Sequence, residues 1–529
     1  MLHVPSRRTL LKAGGAVLAA GMMPHVARAQ SGKTIRAVMH APLRATDPVI
    51  NIAWTGRNHG LNIYDTLFAM DSKFQIRPQM VESHEVSAGG LVYTFQLRAG
   101  LAFHDGAPVT SADVIASLQR WGKRDTMGAR MMTYLAEMKV VDQRSFQLVL
   151  KSPYGQVLQT LAKPASIIPF IMPQRLAQQP PEQPVTEFIG SGPFRFVASE
   201  FQPGSRAIYE RNPAYVARQE APDGLAGGKV VKIERYEWIS MPDMQTAANA
   251  LTNREIDFLE APPHDILPTL ANDKNLVVAD YNPLAFMSVC RMNWLTEPFN
   301  RPEIRQALMY ASDQVDWLEA QVGNPDYYRV SAAMFGPGTP YASETGWNGK
   351  PDLARAKDLL KKGGYNGAPV VMMQGTDSPL LFGSSTVTAQ KLRALGMNVQ
   401  VVTMDWGSIL ARRAKSDPAP QGGWSVYHYV TTTSDLMNPL SNTLIDTRGK
   451  ASGIPGWPED VEIESRRTDF ALESQPEVQK AIAEGIQARA YDVVTHIPGG
   501  LVKQPVCHSK ALTGIVPAPA PLFWNIEKV

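Results

Sequence analysis

The chain has 529 residues, 44% of them hydrophobic and 19% charged, with 40 Gly, 41 Pro and 2 Cys; that is length for about three compact units and a large core without disulfide staples. So much apolar content at a formal net charge of only +3 excludes a disordered chain. Two cysteines exclude a zinc cluster or a disulfide scaffold, and no apolar run approaches the ~18 residues that span a bilayer.

The charge is lopsided. Arg7, Arg8, Lys12 and Arg28 stand in residues 1–29 with no acid, so the 52 basic residues less these four leave 48 against 49 acids. A remainder of about −1 gives no electrostatic case for nucleic acid or anionic lipid. Ser6-Arg7-Arg8-Thr9-Leu10-Leu11-Lys12, the apolar run Ala13–Met23 and Ala27-Arg28-Ala29 follow the order of an export signal: charged, apolar, small-x-small. The paired arginines resemble the twin-arginine type, with Leu10 where Phe is usual. Residues 1–29 are therefore expected to be a signal peptide. No Cys near Gln30 could carry a lipid, so the mature chain is expected in the periplasm.

Strand and helix signals then alternate, as in a mixed α/β protein. Tyr93-Thr94-Phe95-Gln96-Leu97 and Phe146, Leu148, Leu150 alternate apolar and polar as half-buried strands do. Between them Thr110-Ser111-Ala112-Asp113 reads as a capping box opening a helix with Val114, Leu118 and Trp121 on one face. Helices are also predicted after Asn300 (Ile304, Leu308, Ala311 inward), after Asp352 (Leu353, Ala356, Leu360) and from Ser474 (Val478, Ile482, Ile486). No 20–50-residue repeat is present.

Catalytic motifs are missing. No HExxH, GxSxG, GxxxxGK[ST] or strand-following GxGxxG occurs, and Gly349-Lys350 runs into Pro351. His104-Asp105 precedes Gly106 and reads as a turn. Cys290 and Cys507 would either pair in an oxidising compartment or stay as two buried thiols. No metal and no cofactor are expected.

Several blocks in fixed order carry a family likeness. They are Ile63–Phe68, Tyr93–Gly100, Phe103–Val114, Ile189-Gly190-Ser191-Gly192-Pro193-Phe194, Glu210-Arg211-Asn212-Pro213-Ala214-Tyr215, Pro298–Asp313 and Ala356–Tyr365. Together they resemble the extracytoplasmic solute-binding proteins that serve peptide and nickel ABC importers. The resemblance implies a two-lobed α/β periplasmic-binding-protein fold with a hinge and an inter-lobe cleft. Lobe I would be 30–55, 188–282 and 492–529, with 56–187 as an added subdomain. Lobe II would be 283–491, and the chain would cross the hinge near Asn282 and near Tyr491. It implies a monomeric receptor that binds a small organic solute, delivers it to a membrane permease and catalyses nothing. An exported hydrolase with a scattered site, or a sensor or chaperone on the same fold, are the alternatives.

Peptide-binding members resembling this chain place a Trp-x-x-Asp carboxylate on the ligand's α-amine. Here Trp424 is kept but Tyr427 stands at the Asp position, and a buried ammonium without an anion is costly. Asp435 would substitute if its loop folds back. Trp424, Tyr427, His428 and Tyr429 would form an aromatic wall with polar handles, so that Trp424→Ala weakens binding and spares the fold. From lobe I, Trp54, Arg57, Asn58 and His59 would reach the cleft, with Arg57 either holding a carboxylate or making a surface salt bridge.

Overall fold

The computed structural model describes residues 33–529, so the signal-peptide expectation for residues 1–29 lies outside the described residues. Two sheets organise the chain. The first has seven strands in the order Phe194–Phe196, Arg206–Arg211, Arg235–Ile239, Thr34–Val38, Phe258–Leu259, Val506–Ser509, Leu276–Ala279. Thr34–Val38 runs parallel to both its neighbours and the outer pairs are antiparallel. The second has six, in the order Tyr328–Arg329, Ile497–Val502, Phe286–Met292, Val426–Thr432, Val370–Gly375, Val399–Met404. A four-stranded antiparallel sheet, built from Val81–Val86, Val92–Leu97, Ser145–Leu150 and Leu135–Val140, belongs to a third unit inserted into the first.

Local signals explain the elements. Phe146, Leu148 and Leu150 are buried in alternation along Ser145–Leu150. Thr110 caps the helix Ser111–Gly122, and the Asp113 carboxylate accepts the Thr110 backbone N–H at 2.8 Å, closing the box. Asp352 accepts from the Arg355 N–H at 3.0 Å to start Leu353–Lys362. Pro302 opens Pro302–Ala311, and Ile304, Leu308 and Ala311 are buried.

The family-like blocks converge on one seam. His104 Nδ1 accepts the Gly190 N–H at 3.2 Å, and its Nε2 lies 3.2 Å from the Gly192 carbonyl. A Cβ at Gly190 would fall 1.7 Å from the Ile63 carbonyl oxygen, so only glycine allows that backbone approach. Asn212 donates to the same Gly192 carbonyl at 3.0 Å, while Tyr215 and the buried Lys229 both reach Asp65 at 2.8 Å. Both His104 nitrogens are thus spent on backbone, and burial lowers its pKa to about 4. Asp105 accepts the Ala107 N–H in a turn.

The chain passes between the two large sheets at residues 280–285 and again at 503–505. The second passage corrects the crossing near Tyr491. The helix Pro476–Val493 runs straight through that position, and Ile497–Val502 still pairs with Phe286–Met292 in the second sheet. The cysteine pair also resolves against a bridge. Cys290 lies in the second sheet and Cys507 in the first, each fully buried and free. Neither reaches the other because each packs as a small apolar group in a different hydrophobic cluster.

Burial pushes both thiols up, Cys507 to about 12, so neither forms the reactive thiolate at neutral pH. Titration of the mature protein with a chromogenic disulfide should find neither thiol in the native state and both after denaturation. A reductant should leave the melting temperature unchanged.

Candidate ligand cleft

A cavity of about 190 Å³ opens between the lobes beside the two crossings. The first lobe contributes His40, Trp54, Arg57 and Glu260, and the second contributes Phe286 and Val430. Trp54 and Arg57 share the helix Trp54–Ile63, where a spacing of three puts both on one face. The Trp54 ring meets Phe286 of the opposite lobe at 5.0 Å and His40 at 5.7 Å. The walls are largely apolar, with a few polar groups among them, the usual make-up of a small-molecule site.

Arg57 is the unusual member. It is 5% exposed, and no carboxylate stands within ion-pair distance of it among the described residues. Among the described residues its guanidinium makes one hydrogen bond, from Nε to Asn58 Oδ1 at 3.1 Å, and Nη1 has no partner. Burial lowers its pKa, while the fields of Asp435 and Glu260 raise it. Glu260 Oε2 accepts from the His40 backbone N–H and from His40 Nδ1, both at 2.8 Å. Asp435 does fold back toward the first lobe, but its oxygens are taken. Oδ1 accepts the Ser166 N–H at 3.0 Å, and Oδ2 accepts the Thr432 hydroxyl at 2.8 Å.

Other contacts cross the same interface. Arg130 pairs with Glu464 at 3.3 Å, and Asn438 donates to Gln156 at 3.1 Å. Gly155 donates to the Ala471 carbonyl at 2.8 Å, and a Cβ there would fall 1.9 Å from the Glu473 carbonyl oxygen. A second cavity of about 380 Å³ lies along this stretch, with Ala165 and Ser434 in its wall beside the Ser166–Asp435 bond. Among the described residues no group of three or more His, Cys, Asp or Glu is placed to hold a metal, and no helix is long and apolar enough to cross a membrane.

The nine expected site residues divide. Trp54 and Arg57 line the cavity; Asn58 orients Arg57 from beside it. His59 turns into the first lobe, with Nδ1 2.8 Å from the Tyr209 hydroxyl and its ring edge-on to Phe196. The expected wall on Val426–Thr432 is split by strand alternation. His428 faces the helices, its Nε2 2.8 Å from the Thr388 hydroxyl. Tyr427 and Tyr429 stack on the opposite face at 5.5 Å, with the Tyr427 hydroxyl 3.3 Å from Arg413 and Tyr429 half-buried. Trp424 is 0% exposed, packs edge-on against Tyr427 and donates to the Arg413 carbonyl at 3.0 Å. These aromatics form a small core of their own and do not line the cavity. Sequence reasoning missed His40 and Glu260: each lies just past the end of a strand of the first sheet, and no local pattern marks such a position as cleft-facing.

Two consequences can be measured. Trp424→Ala should cost about 3–5 kcal/mol of stability in urea unfolding by leaving a cavity, reversing the expectation of an intact fold. His59, His428 and His496 are buried, and burial lowers each pKa from the usual 6.5 to about 3. They are neutral when folded but take up protons below 6.5 when unfolded. Their contribution is therefore complete above pH 6.5 and is lost as pH falls toward 3, at up to about 1.4 kcal/mol per pH unit for each. Urea midpoints should fall between about pH 7.5 and about pH 5, and His428→Gln should flatten that slope.

Comparison with known proteins agrees with this architecture. Residues 75–450 match the model of bacterial extracellular solute-binding proteins, family 5. A probable peptide ABC transporter periplasmic-binding protein, y4tO of Sinorhizobium fredii, is 39% identical over 99% of both chains. The glutathione-binding protein GsiB of Pectobacterium atrosepticum is 28% identical over 65% of this chain and 64% of its own. Among solved structures, the binding protein AgaA of A. tumefaciens R10 with agropinic acid superposes at TM-score 0.77, with 20% identity over 94% of this chain and 99% of that one. A dipeptide-binding protein of Pseudoalteromonas sp. SM9913 with Met-Leu gives TM-score 0.77 and 17% identity over 94% and 100%. With 39% identity along its whole length to one such protein and the family model spanning most of its residues, the chain belongs to the bacterial extracellular solute-binding proteins, family 5.

Proposed function

We propose that this protein is a monomeric periplasmic receptor that captures a small, carboxylate-bearing, peptide-like solute, hands it to an ABC permease and performs no chemistry on it. Arg57 carries the proposal. A buried guanidinium with one hydrogen bond is costly, and a ligand carboxylate offers two acceptors in the geometry that a guanidinium matches. The relatives agree in kind: they are described as binding peptides or glutathione, and the solved structures hold Met-Leu or agropinic acid.

The lobes divide, in this proposal, as residues 30–55, 188–282 and the C-terminal tail against 283 onward, with 56–187 riding on the first. The sheet strands support this division with the second boundary moved to 503–505. Rotation about the two crossings would open the cleft, and closure would bring Trp54 onto Phe286 and Ser166 onto Asp435. A scattered-site hydrolase draws no support from His104, whose nitrogens are committed to backbone.

Mature protein stripped of ligand by unfolding and refolding should be stabilised by carboxylate-bearing peptides, by about 2.7 kcal/mol at 100 times the dissociation constant. Arg57→Gln should weaken their binding at least about tenfold, or ~1.4 kcal/mol. Stabilisation by peptide amides equal to that by the free acids would refute the assignment of Arg57.

A further inference from the structure

We infer that Glu260, positioned by His40, receives a ligand ammonium group, so that the cavity selects zwitterions carrying a free amine. This rests on the assignment of Arg57 to the ligand carboxylate. The first support is charge. Arg57 sits in the fields of two carboxylates, Glu260 and Asp435, and a ligand carboxylate alone would add a third negative group around one guanidinium. In a closed, poorly hydrated cleft such an excess is opposed strongly. An ammonium on the same ligand removes it.

The second support is geometry, which separates the two acids. Asp435 accepts bonds on both oxygens, from Ser166 and Thr432, and does not line the cavity. Glu260 does line it. Its Oε2 is fixed by two bonds from His40, and among the described residues no donor reaches Oε1. The carboxylate is therefore rigidly aimed, with one oxygen left to accept. Burial acts to raise its pKa, but His40 and Arg57 outweigh burial and hold it below the usual range, so it is charged at neutral pH. Trp54, whose ring lies 5.7 Å from that of His40, adds an aromatic face of the kind that favours a cation. Tyr427 is 2% exposed and lies in a separate core.

Titration calorimetry with Met-Leu and glutathione against their N-acetyl forms tests this on wild type, Glu260→Gln and Asp435→Asn. Wild type should prefer the free amines by at least about tenfold. Glu260→Gln should erase that preference by weakening the free amines and binding the N-acetyl forms more tightly than wild type does, which also reports that it is folded. Asp435→Asn should keep the preference. If Glu260→Gln does not fold, Glu260→Asp, which keeps the charge but draws it back, should narrow the preference.

Equal wild-type affinity for free and acetylated amines overturns the inference and leaves Arg57 standing. Loss of the preference in Asp435→Asn but not in the Glu260 variants overturns it in favour of the second lobe. Failure of all four compounds to bind, with peptide amides binding instead, removes the assignment of Arg57 and this inference with it.

Discussion

The chain passes between its two large sheets only twice among the described residues, at 280–285 and 503–505, and the rest of the molecule is arranged around that constraint. The clusters packed on the first sheet hold no residue of the second lobe, whereas the second lobe's main cluster runs on into the third unit, so the lobes meet through apolar packing as well as through the crossings. The crossings lie side by side at the cavity, where Tyr281, Asn282 and Gln504 all contribute to its lining. A cleft beside a hinge follows: its walls belong to different rigid bodies, and its volume depends on their angle. The third unit extends the first lobe until it meets the second at Gly155, Gln156 and Ser166, so closure is registered by hydrogen bonds of backbone and side chain outside the two crossings.

Stability and binding draw on different residues. Most buried charges here are paired: Arg120 with Asp47 at 2.9 Å, Lys229 with Asp65 at 2.8 Å, and Lys163 with Asp125. Arg291, also buried, donates to the carbonyls of Pro455, Leu444 and Thr495. Arg57 has no such set of partners. Arg120 and Arg291 also leave one nitrogen each without a partner, but each makes three hydrogen bonds; Arg57 lines the cavity, where a ligand can offset its desolvation cost. The buried aromatics of the second lobe are the opposite case. Trp424, Tyr427 and Trp457 pack on one another, and their large areas stabilise the lobe rather than form the wall of the cavity.

Much of the fold was legible in the sequence because its signals are local. A capping box at Thr110–Asp113, the alternation at Phe146, Leu148 and Leu150, and an Asp cap at 352 each act within one turn or one strand. The blocks that carried the family likeness were legible for a related reason. Gly190, Gly192, Asn212, Tyr215 and His104 meet at one crowded seam, where backbone approach and buried hydrogen bonds leave few residue choices. Those residues report the fold and say nothing of the ligand.

The sequence by itself determined the class of fold, the helices and strands, and the candidacy of Trp54 and Arg57. Only the tertiary structure decided which side chains face the cleft. Along Val426–Thr432 a strand sends alternate residues to opposite faces, and which face is core depends on helices more than thirty residues away, such as the one carrying Thr388. His40 and Glu260 are 220 residues apart in the chain and become one carboxylate with a fixed direction only because Thr34–Val38 and Phe258–Leu259 are paired neighbours in the first sheet. Contacts formed across that separation are set by strand order, which no local pattern encodes.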